Sequence, residues 1–306
     1  LEDANTLWAD VPPATPAMVR LQKLAWLPRG PDEARRELTF MNPGDTEPST
    51  TTLTLAVDEY ASIAMTRPLW MPVELFDSPV SATALSDGYW HLRIEAIAPT
   101  LSTPFPARDF RAAVLKAIAA EATGIIIDVR GTQGGDSSLV PTMLGVLVEE
   151  EAFLETPAIW DPKQGQYRDL PEKAVMVLPG ETVYTGPVVV LVDPYTMGPA
   201  ETLAAFLAAR DNVHIFGEGG TAASTGVPEM ELTLPGGYSV MYPVRRSLDA
   251  AGQIQGVSDT TGVGGVEPDT LFTLDRTTAT LIYQDGKDVV LDKAVENLDS
   301  ATWRFP

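Results

Sequence analysis

The sequence predicts an α/β (mixed α+β) fold: a mixed sheet flanked by helices, with a small β-rich segment in front of it. Three observations carry this. The runs Gly124–Val129 and Val188–Asp193 are apolar on both faces, as only central strands covered on two sides can be. Segments with apolar residues at helical spacing alternate with these strands: Phe110, Val114, Ala117 and Ile118 before the first, and Leu203, Phe206 and Leu207 after the second. Near the N-terminus, Thr52-Leu53-Thr54-Leu55-Ala56-Val57 instead alternates with period two, the signature of a half-buried strand.

Taken in order, Val19, Leu21, Leu24 and Leu27 predict a short helix ended by Pro28. Glu37–Phe40, the polar break Asn42-Pro43-Gly44-Asp45 and the alternating stretch after it predict a β-hairpin. Residues 61–80, with Pro68, Pro72 and Pro79, read as a linker, so the chain divides into an N-terminal segment over 1–80 and a core domain over 81–306. Tyr89–Ile94 predicts a strand, a further short strand is expected around His214-Ile215-Phe216, and Glu231–Leu234 and Ser239–Val244 predict two more. A final helix is expected near Asp288–Leu298.

Composition narrows the function. With 306 residues, 44% hydrophobic, the chain can bury a sizeable core, and no run approaches the eighteen apolar residues of a membrane span. A net charge of −21 disfavours nucleic acid and anionic lipid as partners. The absence of cysteine removes disulfides, thiolate nucleophiles and cysteine zinc sites, and two histidines, His91 and His214, cannot build a multi-histidine metal centre. No cofactor is expected. The chain starts at Leu1 rather than an initiator Met, so a removed signal peptide or upstream domain stays open, as does the oligomeric state.

Chemistry in α/β sheets gathers at the carboxyl ends of strands, which singles out two places. After the first central strand, Gly134-Gly135 turns the backbone sharply and exposes N–H groups that could receive an oxyanion; a plain tight turn is the competing reading. After the second, Pro199 suits the first helical position and Gly198 the N-cap, so a side chain at 198 would face a helix N-terminus; glycine offers only backbone there. Glu201 falls in the first turn, where an acid has an ordinary helix-start role. His91 is a strand histidine that could be a base or simply packed, and His214, next to Ile215-Phe216, reads as structural. The loop Gly262–Asp269, with two acids, reads as a turn, a substrate-facing carboxylate being the competing reading.

In this order these pieces resemble the tail-specific, or C-terminal processing, serine protease family, with its tricorn core and interphotoreceptor retinoid-binding protein branch. Ile126-Ile127-Asp128-Val129-Arg130-Gly131-Thr132-Gln133-Gly134-Gly135 is similar to the family's "IIDLRxNxGG", with Thr132 for the usual Asn. Pro187–Val192 resembles the strand before its nucleophile, Phe216-Gly217-Glu218 its "VGE", and Gly265-Val266-Glu267-Pro268-Asp269 its "GVxPD". Leu21–Leu24 and Thr39-Phe40-Met41-Asn42-Pro43 resemble what completes a PDZ domain, here at most a remnant. The resemblance implies a ClpP/crotonase-like core, a polypeptide substrate and an exported protein.

It also implies a damaged site. The family's serine lies three residues before the motif glutamate, Glu201, at the position of Gly198; its lysine base would align near Ala223. Gly217–Ala222 is instead similar to the "GExTAG" of the tricorn branch, whose base is a histidine in a "GYxH" strand matched by Gly88-Tyr89-Trp90-His91. The expectation is that His91, Gly134, Gly135, Gly198 and Glu201 converge on one cleft. Three functions then follow: a serine peptidase without its nucleophile and so inactive or nearly so, a natural non-catalytic relative that holds peptide by strand addition, or a binder of an apolar small molecule. Pro199, lacking an N–H, prevents the usual oxyanion hole. Thr196, Ser137 or Ser138 could replace the nucleophile, although no base stands at a fixed spacing from them.

Overall fold

The computed structural model describes residues 29–58 except 43, 79–225 except 102, 229–255 and 265–300, together with 15, 17–19, 21 and 23. Residues 17–19, 21 and 23 are helical; Leu24, Leu27 and most of the expected linker lie outside the described residues. The expected hairpin is strands β1 (Arg35–Phe40) and β2 (Ser49–Thr54), paired antiparallel with Phe40 opposite Ser49.

The core is a six-stranded sheet. Its strands are β3 (Val80–Ala84), β4 (Tyr89–Ile94), β5 (Gly124–Asp128), β9 (Val188–Val192), β10 (Val213–Gly217) and β14 (Thr270–Leu271), in the order β14-β10-β9-β5-β4-β3. All neighbours run parallel except β3, an antiparallel edge. Every residue of β5 and β9 is buried, which explains why their sequences are unbroken apolar runs. Helix α1 (Pro106–Ala119) leads from β4 to β5, a short helix α2 (Val140–Leu144) follows β5, and α3 (Pro199–Ala208) joins β9 to β10.

The two faces of this sheet carry different cores. On one, Trp90, Leu92, Ile125, Ile127 and Val190 pack with Phe110 and Val114 of α1 and Leu203 and Ala204 of α3. On the other, Tyr89, Ile126, Val189 and Leu191 pack with Val290, Ala294 and Leu298, which belong to helix α5 (Val289–Ser300). Tyr89 Oη also donates to Asp299 at 2.7 Å. Helix α4 (Arg276–Tyr283) precedes α5 and opens with a reciprocal Asp275–Thr278 cap.

Two further sheets complete the fold, and the first of them was not legible in the sequence. Strands β6 (Ala152–Asp161), β7 (Gln166–Asp169), β8 (Val175–Val177) and β13 (Arg245–Leu248) form an antiparallel sheet in which β6 is shared. Pro157 in the middle of β6 hides it, because proline argues against a strand unless its missing N–H is harmless there. Strands β11 (Glu229–Thr233) and β12 (Ser239–Pro243) form a separate two-stranded ribbon, close to the predicted pair. Among the described residues no helix is long and apolar enough to cross a membrane.

Candidate active site

The site is built where β5 and β9 end. Beyond β9, Asp193 is buried and its Oδ1 accepts from the Gly131 and Tyr195 N–H groups and from Thr196 Oγ1 at 2.9 to 3.1 Å, pinning one strand end to the other. Met197 N–H donates to Thr132 O at 2.9 Å. These bonds deliver the chain to Gly198, the N-cap of α3 as expected, with Pro199 at its first position.

Gly198 has φ 58° and ψ −122°, a strained strand-to-helix turn of the kind on which nucleophilic residues are mounted. A Cβ placed there would meet nothing nearer than Gly134 Cα at 3.7 Å, an ordinary contact, so the pocket has room for a side chain that the sequence does not supply. Gly134 and Gly135 also have positive φ, 64° and 127°. At 135 glycine is obligatory: a Cβ would stand 2.4 Å from Ile97 O, which the Asp136 N–H approaches to 2.8 Å. Among the described residues neither Gly134 nor Gly135 N–H has an acceptor, so both can serve a ligand oxygen.

The Gly198 N–H, by contrast, donates to Ser224 Oγ at 2.8 Å. That hydroxyl lies 2.8 Å from Glu201 Oε2, which also accepts from Ser224 N–H. Oε1 of the same buried carboxyl accepts from Thr221 Oγ1 and Ala223 N–H. Burial pushes the Glu201 carboxyl up, and these donors pull against it. Thr221 Oγ1 accepts from Val266 N–H at 2.7 Å, so the loop after Gly265 is fastened to the same acid. Ala223 holds a left-handed φ of 61° to make the turn. The sequence reading passed over Ser224; its signal is its place beside Ala223, where the resemblance sets the missing base.

His91 lies in a different setting. Along β4 it shares a face with Tyr89 and Arg93, the face covered by α5, whereas α3 packs on Trp90 and Leu92 on the other. The sheet therefore stands between His91 and the helix that carries Gly198. Its Nε2 instead lies 3.1 Å from Asp128 Oδ2, in a charged cluster where Asp128 also binds Arg93 at 2.8 Å and Arg130 at 2.7 Å. Arg130 in turn holds Asp288, at the start of α5, through two bonds of 2.7 and 3.0 Å. The two guanidinium groups hold the Asp128 carboxyl well below its ordinary range although burial opposes them.

The other candidates settle into local roles. Thr196 is fully buried, with Oγ1 3.0 Å from Val129 O, and Ser138 Oγ is bonded to Asp136 at 2.6 Å. His214 Nε2 meets Thr270 Oγ1 at 2.8 Å and burial lowers its affinity for a proton. Asp269 accepts from Ile215 N–H, fixing the "GVxPD" end to β10. Glu218, which the sequence reading used only as a motif letter, has a buried Oε1 without a hydrogen bond among the described residues. Burial together with Asp193 and Asp288 outweighs Arg130 and pushes its carboxyl up to about 7. No three His, Asp or Glu side chains gather as a metal would require among the described residues.

Residues 95–272, more than half of the chain, match the sequence model of peptidase family S41. The chain belongs to peptidase family S41. No curated protein matches it. Among solved structures the S41 chain is similar to a candidate peptidase from Parabacteroides merdae ATCC 43184, at 16% identity and TM-score 0.57, over 98% of this chain and 90% of that one. It is also similar to mature CPAF complexed with lactacystin, at 16% identity and TM-score 0.62, over 92% and 73%. A candidate S41 protease from Bacteroides fragilis NCTC 9343 matches at 17% identity and TM-score 0.53, over 89% and 68%. These likenesses establish the fold.

Proposed function

We propose that this S41 chain holds an extended polypeptide at the Gly134–Gly198 cleft and does not cleave it through position 198. The observation that carries the reading is Gly198 itself: a strained turn at a helix start, with room for a side chain and none present. Pro199 offers no N–H, the Gly198 N–H is taken by Ser224, and His91 faces the other side of the sheet, so hydrolysis lacks nucleophile, base and half of its oxyanion hole. The N–H groups of Gly134 and Gly135 remain to bind a peptide carbonyl. Polypeptide as the ligand class, and export from the cytoplasm, rest on the family.

A second reading, a peptidase disabled only by loss of its serine, is favoured by the 3.7 Å clearance to Gly134 Cα. Casein digestion separates the two. The chain, its Gly198→Ser variant and that variant with His91→Ala are incubated with casein, and binding of unreactive casein is measured alongside. We expect binding without cleavage by all three. Cleavage restored by serine supports the disabled peptidase, and cleavage by the unaltered chain overturns both readings.

A further inference from the structure

Arg111, on α1, is a cation without a counter-charge among the described residues. Its Nε is buried and has no hydrogen bond, and no ion pair among the described residues includes it, although the chain carries 42 acidic residues. A guanidinium presents its donors in a fork suited to carboxylates, and here the terminal Nη groups, one of them beside Gly180, are the donors a ligand would meet, the Nε being covered.

The guanidinium lies on a cavity of about 260 Å³, walled by Pro141, Met176, Leu178 and Pro179, with Thr142 at its side. Leu178 is 64% and Met176 37% exposed, so the apolar wall faces open space. Two glycines keep it open. Gly145 has φ −58° and ψ −20°, a conformation any residue adopts, yet a Cβ there would strike Leu178 O at 2.6 Å. At Gly180, which has no left-handed φ, a Cβ would meet Gly145 O at 3.2 Å and Arg111 Nη2 at 3.5 Å. Both are selected by space rather than by backbone freedom, and the space at Gly180 is beside the charge. The Thr142 hydroxyl, without a partner among the described residues, adds a second donor.

We propose that the Arg111 pocket binds a carboxylate borne on a small apolar body. One guanidinium with no second cation, in a chain of net charge −21, selects a singly charged anion over a phosphate dianion. The four apolar walls take the body, and the volume of about 260 Å³ admits a small aliphatic acid or a terminal residue with its carboxylate. Two sources supply this chemistry: a peptide C-terminus ending in an aliphatic residue, or a free short-chain acid. The pocket shares no residue with the Gly134–Gly198 cleft, so its occupancy and the peptide reading fail independently.

The test is calorimetric titration of the full chain with 4-methylpentanoate, its amide, acetyl-Ala-Ala-Leu with a free carboxyl group, the same peptide amidated, and inorganic phosphate. At least one of the two acids is expected to bind with Kd of about 1 mM or tighter, and its amide about tenfold or more weaker, the loss of a charge-assisted pair. Arg111→Met, with its fold checked by circular dichroism, is expected to show the same loss. Gly180→Ala, which leaves the charge in place and fills the space, is expected to weaken the acid too and stands in should Arg111→Met not fold. Binding of both acids assigns a peptide C-terminus, and binding of the small acid alone assigns a free acid. Equal affinity for acid and amide, preference for phosphate, unchanged binding in the variants, or no binding at up to about 10 mM overturns the proposal.

Discussion

The hydroxyl of Ser224 and the backbone N–H of Gly198 are hydrogen bonded at 2.8 Å, so the one donor that Gly198 could offer is turned inward. The same hydroxyl reaches Glu201, and through it the turn at 198 is tied to the floor of the site. Ser224 is thus a positioning residue for the turn.

Removing that tie strands a donor. Ser224→Ala leaves the Gly198 N–H without its acceptor and takes one donor from Glu201, and should cost about 1–3 kcal/mol. Urea unfolding of the two proteins measures it; an unchanged midpoint would falsify the bridge.

Gly198→Ala tests the strain in the turn. The methyl group has room, but a residue with a Cβ at φ 58° and ψ −122° is strained by about 1–3 kcal/mol. We expect a lower unfolding free energy; a gain in stability would mean that the turn relaxes in solution.

Arg130 couples the sheet to α5. Arg130→Met leaves Asp128 with only Arg93 and His91 as charged or ring partners and leaves Asp288 facing no cation among the described residues, and should cost about 3–5 kcal/mol. Asp288→Asn, at a side chain 34% exposed, should cost about 1 kcal/mol, since Asn still caps the helix. Equal losses in the two would place the energy in the cap rather than in the Asp128–Arg130 pair.

Glu218 sets a pH dependence. Its carboxyl titrates near 7 in the fold against an ordinary value of 4.5, so the folded chain holds this proton more tightly than the unfolded chain does. The resulting stabilisation is complete below pH about 4.5 and is lost as pH rises through about 7, amounting to about 2–3 kcal/mol. Glu218→Gln cannot ionise, so the stability of the parent relative to this variant should fall between pH 5 and 7. A constant difference across that range would show that Glu218 is already ionised at its lower end. His214, whose proton affinity is lowered, changes stability in the opposite sense in both proteins and cancels in the comparison.

What local chemistry dictates was readable from the chain. Buried strands need unbroken apolar runs, a helix start accepts Pro199 behind a glycine, and Gly134-Gly135 permits a turn that other residues resist; these placed β5, β9, α3 and the turn between them. The face of the sheet to which His91 points was not readable, because alternation along a strand fixes only which residues share a face, while the helix covering that face comes from 200 residues away in α5. Ser224 beside Gly198, the unpaired Arg111 behind Gly180 and the raised Glu218 likewise exist only once distant segments pack. Burial and proximity set hydrogen bonding and proton affinity, and both are properties of the tertiary structure.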